Sequence, residues 1–231
     1  MPDIAKPPAR DPFDLPDVST LTVGVLGGTG EQGRGLAYRW AQAGQRVIIG
    51  SRDEQRAQAV AADLGATVEG ATNVVCAARA DVVVAAVPWA GHEALLTELR
   101  TALVGKIIVD CVNPLGFDKQ GAFALAVEQG SAAQQAAELL PDSTVVAAFH
   151  HISAVLLLDD SVPTLDTDVL VLGDKREATD TVQALANRIP GLRGIYGGRL
   201  RNAAQVEAFT ANLISINRRY KAHGGVRITD V

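Results

Sequence analysis

The sequence predicts an α/β fold: a doubly wound parallel sheet, followed by a second, smaller C-terminal α/β unit. Three observations predict it. Apolar strand-like runs alternate with helical patterns between Leu21 and Asp110, at the spacing of βαβ units. A glycine turn, Gly28-Thr29-Gly30-Glu31-Gln32-Gly33, joins the first strand to the first helix. The run Val82-Val83-Val84-Ala85-Ala86-Val87 is apolar without alternation, as a strand covered on both faces must be.

The elements follow in order. Residues 1–20 hold five of the ten prolines and no periodic apolar pattern, so they read as a flexible arm. Residues 23–26 form a short apolar strand, and residues 31–43 a helix that Gly44 ends. Residues 46–49 are the second strand. Asp53 caps a helix that runs to Leu64, with Gly65 after it. A weak strand at 67–69 and a short helix at 73–79 precede the buried strand at 81–87. A helix at 91–99 and a buried strand at 106–110 complete the first unit, which is assigned residues 21–140. The pattern then weakens. Helices are expected at 131–139, 177–188 and 199–221, with strands at 144–148 and 169–172, and residues 141–231 are assigned to the smaller unit.

Composition narrows the function. A net charge of −5 argues against a protein that coats nucleic acid. With aromatics at 4%, a stacking platform for single strands is also unfavoured. Cys76 and Cys111 make neither a disulfide framework nor a CxxC pair, so they read as reduced, buried thiols of a cytoplasmic protein. No signal-peptide core is seen, and no apolar run approaches the roughly 20 residues of a membrane span.

The glycine turn carries the first chemistry. Its glycines allow a tight turn, close approach of backbone to a pyrophosphate, and close packing of helix on strand. The free amides at the helix start then face phosphates. The end of the second strand selects the dinucleotide. An NAD site places an acid there for the ribose hydroxyls, but this chain has Ser51 and Arg52, with Arg56 one helical turn later. Arginine forks match a 2′-phosphate in shape and charge, so the expected dinucleotide is NADP(H). The alternative is that both arginines are solvated charges at a helix end.

Ligands of such sheets lie beyond the carboxyl ends of the strands. Three stretches sit there: Val87-Pro88-Trp89, Asn113-Pro114, and Phe149-His150-His151-Ile152-Ser153-Ala154. Neighbours on a strand point to opposite faces, so His150 and His151 make a poor metal pair. His150 is left as either a cleft residue or a structural one. No YxxxK is present, and no serine–histidine–acid set can be placed, so no catalytic side chain is assigned. Hydride transfer between two bound rings needs alignment and exclusion of water more than a strong acid.

The segments GGTGEQGRGLA, IIGSRDEQRAQA, VPWAGH, VNPLG and FHHISA occur in this order. Together they resemble the NADPH-dependent reductases of the deazaflavin coenzyme F420, from Leu21 onward. The resemblance implies a Rossmann fold and direct, reversible hydride transfer between NADP(H) and F420, the latter as substrate. It implies that Gly28, Thr29, Gly30, Glu31, Gln32, Gly33, Ser51, Arg52 and Arg56 hold the phosphate-bearing adenosine end. It implies further that Val87, Pro88, Trp89, Asn113 and Ala154 flank the nicotinamide, and that His150 and Ile152 wall the deazaflavin. It also implies a homodimer, joined through C-terminal helices. Between Arg188 and Arg227 lie eight basic residues and one acid, Glu207. That stretch is either a field for the anionic coenzyme or a solvated helix face. The alternatives are an imine or pyrroline reductase of NADP(H), or a non-enzymatic NADP(H)-binding redox sensor.

Overall fold

The computed structural model describes residues 11–231. Its first part runs β1 (Thr22–Leu26), α1 (Glu31–Gln42), β2 (Arg46–Ser51), α2 (Glu54–Leu64), β3 (Val68–Thr72), α3 (Asn73–Arg79), β4 (Val82–Ala85), α4 (Trp89–Leu99) and β5 (Ile107–Asp110). A hairpin of β6 (Leu115–Asp118) and β7 (Gly121–Ala124) follows. The chain continues through α5 (Ala132–Leu139), β8 (Thr144–Ala147), α6 (Ala154–Leu157), β9 (Thr167–Gly173), α7 (Arg176–Asn187), β10 (Leu192–Gly198) and α8 (Ala203–Tyr220).

Eight strands form one sheet in the order β10-β9-β8-β5-β4-β1-β2-β3. From β3 to β8 the neighbours are parallel; β9 then pairs antiparallel to β8, and β10 parallel to β9. This is the expected doubly wound α/β class. The strands expected to form a smaller C-terminal unit, with β10, instead continue the same sheet: β8, β9 and β10 join it edge to edge through the pairing of β5 with β8. Two hydrophobic cores cover the faces. One packs Leu36, Trp40 and Ala57 on Val23, Val25 and Ile49. The other packs Cys76, Leu96 and Ala133 on Ile48, Val83 and Ile108. Trp40 also crosses between the halves, donating from Nε1 to Leu185 O at 2.9 Å.

The first half of the proposed arm, residues 1–10, lies outside the described residues. Its second half is irregular but anchored. Val18 is buried, and Gln45 Nε2 donates to Val18 O and Leu21 O at 2.9 and 2.5 Å. Two carbonyls flanking the turn before β1 thus find a buried side-chain amide instead of water.

The last residues are held by a buried carboxylate. Asp168 accepts from Arg193 Nε and Nη2 at 2.7 and 2.8 Å and from the Ile228 amide at 2.6 Å. Burial alone would raise its pKa, but Arg193, the Ile228 amide and the Arg227 charge hold it below the usual carboxylate range. Its contribution is therefore full at neutral pH and is lost as pH falls through that depressed value. Arg193→Met is expected to destabilise the chain by about 2–3 kcal/mol at pH 7, since Arg227 and Ile228 still face the charge. Urea melts at pH 7 and pH 3 check this. The gap to the native chain should shrink in acid, and a gap independent of pH would show that packing, not the pair, was lost.

Candidate functional site

The carboxyl ends of β2, β1, β4, β5 and β8 stand side by side, and each sequence-predicted segment follows one of them. Strand order reverses between β1 and β4, where such sheets open a crevice.

The glycine turn lies over β1. Gly27, just before the motif, takes the left-handed conformation at φ +73, and a Cβ there would lie 2.5 Å from Ala86 O. At Gly33 a Cβ would meet Gly27 O at 2.8 Å, so the helix can sit this close to the turn only with glycine there. No side chain caps α1 at Gly30. Its first amides and its positive dipole end face outward, a fit for pyrophosphate.

Ser51 ends β2, half-buried, and its Oγ accepts from the Asp53 amide at 3.2 Å. Asp53 caps α2 as expected, accepting from Arg56 N at 3.1 Å. The acid nearest the strand end is thus committed to the helix. Arg52 and Arg56 are exposed, and neither guanidinium has a partner among the described residues. Two unpaired forks beyond the end of β2 suit a phosphate.

Val87, Pro88 and Trp89 follow β4, with Pro88 at the start of α4 and no side-chain cap on that helix. A Cβ on Gly27 would also press on Val87 Cγ1 at 2.8 Å, so this loop touches the glycine turn. Asn113 follows β5. Its Nδ2 donates to His150 O at 3.3 Å, and Thr210 Oγ1 of α8 donates to Asn113 Oδ1 at 3.2 Å. Gln32 Nε2 donates to Phe149 O at 3.4 Å. The structure therefore brings the turn, the β5 loop and the β8 loop into contact.

The β8 loop is strained at Phe149, whose φ of +64 is rare for a bulky residue and costs about 1–3 kcal/mol. Packing holds it there: the ring is buried and stands edge-on to Trp40 at 5.5 Å. His150 is buried, and neither ring nitrogen has a partner among the described residues. Burial, only partly offset by the Asp110 charge, lowers its pKa to about 4, so the ring is neutral at pH 7. His151 turns away and meets Val206 O through Nε2 at 2.7 Å. Ile152 is buried, and Ala154 is the half-buried first residue of α6.

Several positioning contacts escape sequence reasoning. Arg39 is buried in α1 and donates to Leu157 O, Leu156 O and Asp159 O at 2.7, 2.6 and 2.9 Å. It pins the segment that begins at Ala154. Glu207 of α8 accepts from the Ala132 and Ala133 amides at 2.9 and 3.1 Å. Burial, opposed by those two amides, raises its carboxyl to about 7. The basic stretch divides. Arg188, Arg193, Arg199 and Arg227 bond to backbone or carboxylates within the chain. Arg201, Arg218, Arg219 and Lys221 stay exposed and unpaired among the described residues.

An uncapped glycine turn, unpaired arginines beyond β2 and loops that meet at the strand ends are the arrangement expected of a dinucleotide-dependent oxidoreductase. Residues 22–114 match the family described as NADP oxidoreductase, coenzyme F420-dependent. The F420-dependent NADP reductase of Methanothermobacter thermautotrophicus is 40% identical over 226 residues, 93% of this chain and 97% of the relative. That of Methanocaldococcus jannaschii is 35% identical and covers 91% and 99%. A crystal structure from Arthrobacter sp. FB24, described as an F420 dependent NADP-reductase, superimposes with a TM-score of 0.78. It is 28% identical and covers 90% of this chain and 99% of that one. The chain belongs to the F420-dependent NADP reductase family.

Proposed function

We propose that this protein transfers a hydride directly and reversibly between NADP(H) and the deazaflavin coenzyme F420. The observation that carries this reading is the convergence of the family's separate motifs on one crevice, from Arg52 at β2 to Ala154 beyond β8. An imine reductase or a redox sensor would explain the glycine turn but not this full-length likeness.

The α1 amides receive the pyrophosphate, and Ser51, Arg52 and Arg56 grip the 2′-phosphate. Val87, Pro88, Trp89, Asn113 and Ala154 frame the nicotinamide, and His150 and Ile152 back the deazaflavin. When bound, the nicotinamide supplies or takes the hydride. The chain's part is to align the rings and exclude water, which can contribute several powers of ten. Stopped-flow absorbance with NADPH and F420 tests the activity: single-turnover decay of both bands together is expected, and NADPH oxidation without deazaflavin reduction refutes it.

A neutral His150 cannot act as a strong acid at pH 7. His150→Gln is expected to slow the reaction about tenfold, as lost positioning would. The pH profile between 6 and 8 should keep its shape. An inflection that vanishes in the variant would make His150 the proton donor instead.

The protein is read as a cytoplasmic homodimer. The cytoplasmic reading rests on two buried thiols, of which Cys76 is pushed up by burial to about 12. Among the described residues no helix is long and apolar enough to cross a membrane. The dimer reading rests on exposed apolar side chains, Phe209, Ile216 and Tyr220 of α8 and Phe117 and Phe123 of the hairpin, whose strand β7 packs on α8. Phe209→Glu is expected to yield monomers in sedimentation equilibrium; an unchanged dimer would move the contact elsewhere.

A further inference from the structure

The loops carrying Trp89 and Asn113 are joined by one buried pair. His92, in the first turn of α4, is fully buried, and its Nε2 donates to Asp110 Oδ2 at 2.6 Å. Its Nδ1 lies 3.0 Å from Gln135 Oε1. The Gln135 amide is oriented by Gln129, whose Oε1 accepts from Gln135 Nε2 at 3.4 Å. Both ring nitrogens therefore face acceptors, and only the doubly protonated imidazolium satisfies both. Asp110, equally buried at the end of β5, uses its other oxygen to accept from the Val112 amide at 3.0 Å. The Trp89 ring lies 5.5 Å from that of His92.

We propose that His92 and Asp110 form a buried ion pair that fixes the β4 and β5 loops relative to each other, and that His92 is a positioning residue for hydride transfer. This rests on the reading above that those loops frame the nicotinamide. Neither residue touches a substrate. A lone Asp110 carboxylate would be costly in this core, and His92 supplies both the countercharge and a rigid, planar link. The other groups that face the pair are Gln135 of α5, Glu207 of α8 and His150 after β8. Burial alone would lower the His92 pKa, but the Asp110 hydrogen bond and charge, then Gln135 and Glu207, raise it above its ordinary value. The pair's contribution is therefore full in mild acid and is lost only as pH rises through that raised value.

Two measurements on the full chain test this. Imidazole ¹⁵N NMR should show His92 protonated on both nitrogens at pH 7; a neutral ring overturns the pair whatever the activity. His92→Gln, Asp110→Asn and the double variant are then compared by single-turnover kinetics and by NADPH binding. Each single variant is expected to slow hydride transfer about ten- to a hundredfold while the NADPH Kd moves less than about threefold. The double variant, which leaves no unpaired charge, should be no slower than either single one. Additive losses, a loss confined to Kd, or an unchanged rate in folded protein would overturn the role. Should the native chain fail to transfer hydride at all, the functional reading falls while the NMR result on the pair still stands.

Discussion

Arg52→Ala and Arg56→Ala are each expected to raise the NADPH Michaelis constant about ten- to a hundredfold while leaving NADH kinetics nearly unchanged. The size follows from one hydrogen bond to a charged group, about 1.5–3 kcal/mol. The selectivity follows from the geometry. Asp53, the acid closest to the end of β2, is spent on the α2 cap, so nothing there is arranged to prefer an unphosphorylated ribose. Both guanidiniums are unpaired among the described residues, so no internal salt bridge has to break when a phosphate arrives. Steady-state kinetics with both nucleotides and F420 as acceptor check the result. Equal losses with NADPH and NADH would mean that the arginines serve the fold or the shared part of the nucleotide.

Ala154→Leu is expected to slow hydride transfer about a hundredfold, the scale of an ångström of misalignment. The wall that carries Ala154 cannot retreat. Two carbonyls of its helix turn, those of Leu156 and Leu157, and the following Asp159 carbonyl are bonded to Arg39, and Leu157 packs so tightly on α1 that a Cβ at Gly35 would lie 2.6 Å from its own. The added leucine atoms must therefore enter the crevice. Single-turnover rates at saturating NADPH, with a thermal midpoint close to that of the native chain, check this. An undiminished rate would remove Ala154 from the site.

The parts of the fold legible in the sequence are those whose signal is local. The helix Asn73–Arg79 and the Asp53 cap stand where the pattern puts them, because a cap and a buried apolar face suffice to define each. Strand β10 was hidden by its own glycines. Gly194 lies where a Cβ would be 2.5 Å from the Gln183 backbone, so packing there selected against β-branched residues. The hairpin of β6 and β7 has exposed phenylalanines and no core-facing pattern to read. That the C-terminal strands join the first sheet depends on the pairing of β5 with β8, and no local pattern records a register between distant segments. At the site, the residue types at strand ends were readable. The left-handed Phe149 was not, since its conformation is imposed by Trp40 and by neighbours far along the chain. His92 was not either: an isolated histidine in a helix announces nothing until its partners are known.

The helix ends above the sheet differ in a way that bears on how often a bound nucleotide is bound uselessly. The starts of α1 and α4 carry no side-chain cap, and they follow β1 and β4, the two neighbours that flank the crevice. The other starts near it are closed: α2 by Asp53, α3 by Thr72, and α5 by Ser131 together with Glu207. Of the helix starts that follow β1, β2, β3 and β4, those with uncapped amides are the two that flank the crevice. A nucleotide lying end for end would set its charges against carboxylate and hydroxyl oxygens already in use. Such idle complexes, where they form, lower kcat and KM by the same factor and leave their ratio untouched. The caps on α2 and α3 disfavour such complexes at the helix ends next to the crevice.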